Sequence, residues 1–294
     1  MEKISVIIST FNQVRYLRAC LDSVWFQDYP CLEIIVVNDG STDCTDEALE
    51  TFVYDVDHAE TSFLNFYNDN TGSFERTTHN RYPQEGRELR IVRQEKNGGL
   101  AAALNAGFGI CTGAYCTYVP SDNICYPHMM AELSAAMGRT GSDFVYSDMH
   151  IFNDDGQIVR SFRLPDYSFK ACFQEWYLCG VSKLYRRSLH EVFGYYDEGL
   201  LAHDHDLFQR FAVGGARFCH VPKTLMGVRQ HKGDDREIDL HSHEMWHRLL
   251  EESRQLVMAA RRLDAGNFKM ETCRRSRSEA GKLATLNREP NKPK

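Results

Sequence analysis

The sequence contains no apolar run approaching the roughly 18 residues of a membrane-spanning helix. It enters a strand-like stretch at Ile4 with no signal peptide before it. These two absences predict a soluble, cytoplasmic protein. Cys-x-x-Cys pairs are missing even though the chain has ten cysteines. Cys111, Cys116 and Cys125 lie closest together, at a spacing that does not suit zinc, so the cysteines read as small buried apolar side chains in a reducing compartment. No internal repeat is present. No Gly-x-Gly-x-x-Gly follows the first strand, which argues against a dinucleotide-dependent dehydrogenase. Positive charge is also lacking overall: the net of −7 argues against nucleic-acid binding.

What is present is ordinary globular material, with 43 % hydrophobic and 26 % charged residues. A chain of 294 residues buries enough surface to need neither disulfides nor a structural metal for its core. The charge is unevenly spread. Residues 254–294 carry eleven Lys or Arg against four acids, a net of +7, which leaves −14 on the remainder. A basic tail on an acidic body suits peripheral attachment at the anionic inner face of a membrane, or an acidic partner. A plain solvated end fits the composition equally.

Strand and helix patterns alternate along the first part of the chain. Ile4 to Ser9 is a continuous apolar run, as expected of a strand covered on both faces, and Val14, Leu17, Leu21 and Val24 follow at helical spacing. EIIVVN, from Glu33 to Asn38, is a second such strand, closed by Asp39-Gly40 and followed by a helix to about Tyr54. Leu89–Arg93 with Leu100–Cys111, and Tyr115–Val119 with Tyr126–Met137, form a third and a fourth unit. Repeated strand–helix units predict an α/β fold with a doubly wound, mostly parallel sheet flanked by helices. Residues 55–88 interrupt the series without clear periodicity and read as an insertion with some local structure. Further on, Asn153-Asp154-Asp155-Gly156 predicts a hairpin turn. A helix near Leu207–Val213 and a strand pair from Ala216 to Val228 complete the body, before an amphipathic helix over 241–262.

In parallel sheets, ligands bind beyond the carboxyl ends of the strands. Four stretches fall there: Ser9-Thr10-Phe11-Asn12, Asn38-Asp39-Gly40-Ser41, Gln94 to Gly99, and Pro120-Ser121-Asp122-Asn123. A strand-end Asp can accept from a base or a ribose hydroxyl, and Gly98 and Gly99 leave room for a phosphate, but one such Asp alone is as often a helix cap. Four in order are far more specific.

With their neighbouring strands, the segments ISVIISTFNQ…LRACLDSV, EIIVVNDGSTD and QEKNGGLAAALNAG closely resemble family-two nucleotide-sugar glycosyltransferases of the GT-A fold. FVYSDMHIFNDDGQIV, LYRRSLHEVFGYYDEGLL and HDHDLFQRFAVGGARFCHVP resemble the acceptor half of that family less tightly. The resemblance implies a glycosyltransferase domain over 1–240, with a nucleotide-binding half at 1–125, an acceptor half at 126–240 and the insertion at about 55–88. A C-terminal helix and basic tail then occupy 241–294. It assigns Ser9, Thr10, Asn12, Asp39, Asn97, Gly98 and Ser121 to the nucleotide of a UDP-sugar.

The family's metal-binding Asp-x-Asp signature aligns with Pro120-Ser121-Asp122-Asn123, so Asp122 is the one carboxylate left for a divalent cation, Mn²⁺ or Mg²⁺. His231, in VRQHKG, is the implied second ligand or diphosphate contact. The family's Glu-Asp pair becomes His203-Asp204, which makes Asp204 the implied general base. The histidine–carboxylate run His203 to Asp206 also hints at zinc, although neighbours on one turn rarely face one ion. His243 and His247 form an i, i+4 pair that reads as fortuitous on a solvated helix. Trp176, Tyr177, Tyr195 and Tyr196 fit either core packing or an acceptor cleft.

The implied function is an inverting, hexosyltransferase-type enzyme of polysaccharide biosynthesis. It moves a sugar from a nucleotide diphosphate, most simply UDP, to a hydroxyl of a glycan or glycolipid. The alternative is a non-catalytic nucleotide-sugar or glycan-binding member with a degenerate metal motif. Retention of Asp204 weighs against that alternative, because a binding module has no use for a base.

Overall fold

The computed structural model describes residues 1–68, 71–231 and 243–265. Four strands open the fold: β1 (Ile4–Thr10), β2 (Leu32–Asn38), β5 (Arg87–Arg93) and β6 (Tyr115–Pro120). They lie side by side in the order β5-β2-β1-β6, all parallel. Every residue of β1 and β2 is buried, and the period-2 alternation sends their side chains into two cores. Ile4, Val6 and Ile8 meet Leu17, Leu21 and Val24 of helix α1 (Val14–Trp25) on one face. Ile7, Ile35 and Val37 meet Ala103, Leu104 and Phe108 of helix α3 (Leu100–Ile110) on the other. Helix α3 sits close because residue 107 is glycine: a Cβ there would lie 2.6 Å from Ile7 Cγ2.

The second half of the sheet is mixed. β10 (Lys183–Arg186) joins antiparallel to both β6 and β8 (Phe144–Asn153), and β9 (Ile158–Phe162) continues on β8 after the expected turn at 153–156. The strand pair expected over 216–228 is instead one strand, β11 (Phe218–Gln230), parallel to β8. Its register shifts on either side of Thr224, next to Pro222, so the interruption becomes a bulge and not a turn. A two-residue strand β7 (Ile124–Cys125) pairs with β11 at the edge.

The insertion has more order than its composition suggested. Helix α2 (Thr45–His58) runs past its expected end into a hairpin of β3 (Ser62–Asn68) and β4 (Ser73–His79). Tyr82 then returns into the core, where its hydroxyl donates to Asp22 Oδ1 (2.6 Å) and accepts from Arg18 (2.6 Å), among the rings of Trp25, Phe26 and Phe52. At the other end Tyr67 and Phe74 reach His150 (4.8 Å between ring centroids) and Phe152 (5.4 Å). The hairpin therefore bridges α1 and the second half of the sheet.

The helix expected near 207–213 starts four residues earlier, as α6 (His203–Val213). No side chain of its own caps it. The cap comes from helix α7 (His243–Ala265), whose Glu252 Oε2 accepts from the amides of Leu201 (2.7 Å) and Ala202 (2.9 Å). Arg261 adds a bond to the Gln174 carbonyl (2.6 Å) in the π-helical turn Lys170–Gln174, and Gln209 reaches the Leu256 carbonyl (3.1 Å). The amphipathic C-terminal helix thus packs on the body. Residue 241 and the side chain of His243 lie outside the described residues. Among the described residues, no helix is long and apolar enough to cross a membrane.

Two outcomes are expected. Glu252→Ala removes an anionic cap and should lower the unfolding free energy by about 1–2 kcal/mol in urea titration, with Glu252→Gln losing less. A cut that tests the basic tail alone must follow Ala265, where eight Lys or Arg against three Glu remain. The full chain should then float with anionic liposomes more than a chain stopped at Ala265. Equal partitioning would leave the tail a solvated end.

Candidate active site

Register places the four strand ends at one rim. Thr10 is level with Asn38, Asn38 with Arg93, and Ser9 with Pro120. Winding reverses between β1 and β6, which makes this the switch point of the sheet.

Backbone amides fold the rim around Asp39. Its nitrogen donates to the Thr10 carbonyl (2.9 Å), while Oδ1 accepts from Gly98 N (2.8 Å) and Oδ2 from Gly99 N (2.9 Å). Burial pushes the Asp39 carboxyl above its ordinary range, against the pull of those two amides. Gly40 allows this approach: it has φ +70°, and a Cβ there would sit 2.5 Å from the Lys96 carbonyl carbon. Asn97 Oδ1 also accepts from Gly99 N (2.8 Å), and Asn97 and Gly98 are exposed on the rim. Asn12, at φ 49°, ties the first two loops together by accepting from Thr42 N (2.7 Å) and Asp43 N (3.3 Å). Ser121 is fully buried, with its hydroxyl on Gln13 (2.5 Å) and its amide on the Ser9 carbonyl (3.2 Å). Thr10 Oγ1 is buried and has no partner among the described residues.

The structure brings Asp122 and His231 together, with Oδ2 and Nε2 2.8 Å apart. Asn123 arranges this: its Oδ1 accepts from Arg229 N (3.1 Å), which fixes the end of β11 against the turn after β6. Arg229 also reaches the Asp122 carbonyl (3.2 Å) and lies over the Tyr16 ring (4.4 Å). His231 Nδ1, buried, faces Asp154 Oδ1 at 3.8 Å. One carboxylate oxygen and one imidazole nitrogen suit a small divalent cation whose other ligands are water and phosphate oxygens. Among the described residues, no cluster of three or more His, Cys, Asp or Glu is arranged for a metal.

Asp204 lies in the first turn of α6, with 18 % of its side chain exposed. Oδ2 accepts from the Tyr118 hydroxyl (2.5 Å) and pairs with Lys183 Nζ (3.2 Å), whereas Oδ1 has no partner among the described residues. Burial pushes this carboxyl up, but Lys183, His203 and the Tyr118 hydroxyl outweigh it and hold it below the usual carboxylate range. The rest of the histidine–carboxylate run diverges. His203 meets Tyr196 edge-on, His205 is buried beside Tyr177, and Asp206 turns to Arg210 (2.8 Å). The four aromatics divide as well: Tyr196 is core, Tyr177 is half-buried, and Trp176 and Tyr195 are exposed.

Lys183, Tyr118, Arg229 and Glu252 escaped the sequence reading. Only Lys183 carried a signal, as a charge inside the apolar stretch VSKLY.

The profile of glycosyl transferase family 2 matches residues 5–60 and 67–194. The glycosyltransferase GlyA of Streptococcus pneumoniae serotype 4 is 28 % identical over 248 residues, which cover 79 % of this chain and 31 % of GlyA. The chain thus spans under a third of that curated relative. Residues 1–349 of S. aureus TarS, solved with UDP-GlcNAc, align at 22 % identity and TM-score 0.58, covering 79 % of this chain and 60 % of that one. The Pyrobaculum calidifontis mannosyltransferase PcManGT, solved with GDP-Man and Mn²⁺, aligns at 15 % identity and TM-score 0.55, over 98 % and 88 %. These two likenesses establish the GT-A fold. With the profile covering more than half of its residues, the chain belongs to glycosyl transferase family 2.

Proposed function

We propose that this chain is an inverting glycosyltransferase, transferring a sugar from a UDP-linked donor to a hydroxyl of a glycan or glycolipid. The observation that carries the reading is the 2.5 Å bond from Tyr118 to Asp204. It ties a carboxylate with one free oxygen to β6, the strand whose terminal turn bears Asp122. Nucleotide sugars bound to TarS and PcManGT support the donor class, and the UDP of TarS supports uridine.

In this reading Ser9, Thr10, Asp39, Asn97 and Gly98 line the nucleoside, with Asn12 and Ser121 holding the loops that present them. Asp122 and His231 hold the divalent cation, which, when bound, offsets charge on the departing diphosphate. Asp204 Oδ1 takes the proton of the acceptor hydroxyl as its oxygen attacks the anomeric carbon. The bond to the diphosphate breaks on the opposite face, and UDP leaves with the electron pair, so the anomeric centre inverts. A carboxyl held below its usual range stays ionised at neutral pH, so the acid limb of the rate profile should lie below the range of an ordinary carboxylate.

Two measurements test this. Asp204→Asn should lose about 10²–10⁴-fold in kcat while UDP affinity stays within a few-fold, and Asp206→Asn, which breaks a pair on another face, should keep turnover. The inverse result would place the base at Asp206, and full transfer by both variants would end the assignment. In calorimetry, Mn²⁺ should tighten UDP about tenfold (~1.4 kcal/mol), and Asp122→Asn should abolish that gain. Equal affinity with Mn²⁺ and with EDTA would remove Asp122 from the metal role.

A further inference from the structure

A lysine with no exposed side-chain surface is expensive to bury unless its charge is met. Lys183 Nζ has one charged partner among the described residues, Asp204 Oδ2 at 3.2 Å, and one further acceptor, the Gly180 carbonyl at 3.3 Å. It lies 4.1 Å from the centroid of the Tyr118 ring and 4.7 Å from that of Phe208. The Tyr118 hydroxyl donates to the same oxygen. Both strong donors thus converge on Oδ2, and Oδ1 is the oxygen left for a proton.

We infer that Lys183 is a positioning residue for the base: with Tyr118 it pins Asp204 Oδ2 and so leaves Oδ1, itself buried and without a partner among the described residues, as the oxygen that takes the acceptor proton. The inference rests on the reading of Asp204 as the base. With no exposed side-chain surface the lysine is out of reach of a bound substrate and acts through Asp204.

The surroundings leave the electrostatic role to this lysine. Tyr118 comes from β6, Tyr185 from β10, Tyr177 and Cys179 from the segment before β10, and Tyr196 from the loop before α6. Burial, with Asp204 nearby, holds each of these phenols and the thiol well above its ordinary range, so they are neutral. His203 adds a smaller pull from the same helix. Lys183 itself is drawn below the ordinary lysine range by burial and held up by Asp204. The coupling is reciprocal: each group favours the charged form of the other against the cost of burial.

The test reads the carboxyl directly. In full-length protein labelled with ¹³C at aspartate Cγ, the Asp204 signal is identified by its loss in Asp204→Asn and followed against pH. In the unsubstituted chain it should titrate below an ordinary carboxylate. In Lys183→Met it should titrate above one, because burial then acts with less opposition. Tyr118→Phe should move it upward by less. An Asp204 titration unmoved in a folded Lys183→Met would overturn the inference.

Should Lys183→Met not fold, the reciprocal reading serves. In Asp204→Asn, the Lys183 ¹³Cε signal should titrate at lower pH than in the unsubstituted chain, and an unmoved signal would overturn the inference. Failure of the base reading shows elsewhere, as transfer retained by Asp204→Asn, so the two failures are distinguishable.

Discussion

Parallel pairing of β1 with β2 on one side and β6 on the other is the constraint on which the rest depends. Seven consecutive partners with β2 and six with β6, without a slip, bring the loops after three strands level with one another. A one-residue slip would exchange the two faces of β1, sending Ile4, Val6 and Ile8 into the core built for Ile7. It would also carry Thr10 away from the Asp39 amide. The rim is precise because two cores hold its strands in register.

The second half of the molecule solves a different problem. Several of its ionisable side chains are buried and pair with one another. Asp122 meets His231, Asp204 meets Lys183, and Asp148 meets His220 (2.8 Å), across 109, 21 and 72 residues of sequence. Such pairs add little net stability against an apolar alternative, but losing one partner is costly. They constrain which strands and helices can lie side by side, and at Asp204 they leave one buried oxygen without a partner among the described residues.

What the sequence revealed follows from this division. The strand–helix units of the first half announce themselves through local periodicity, and the residues of the shared rim follow because strand ends are legible. β11 is not legible as one strand because a proline such as Pro222 suits a turn and a bulge alike, and only the surrounding pairing decides between them. The start of α6 was missed because its cap belongs to another helix: local capping signals fail when the acceptor comes from Glu252. The partners of Asp204 are legible only once β6, β10 and α6 are assembled. The insertion hid its order for the same reason, since Tyr82 is meaningful only beside Asp22 and Arg18.

The cap of α6 lies 50 and 51 residues beyond the amides it satisfies. A ribosome delivers the chain from its N-terminus, so the residues of the strand-end rim are all made well before Glu252. Until then the amides of Leu201 and Ala202 lack the acceptor that they have in the finished fold. The turn that carries Asp204 therefore gains this acceptor only after the last described helix has been made and has docked.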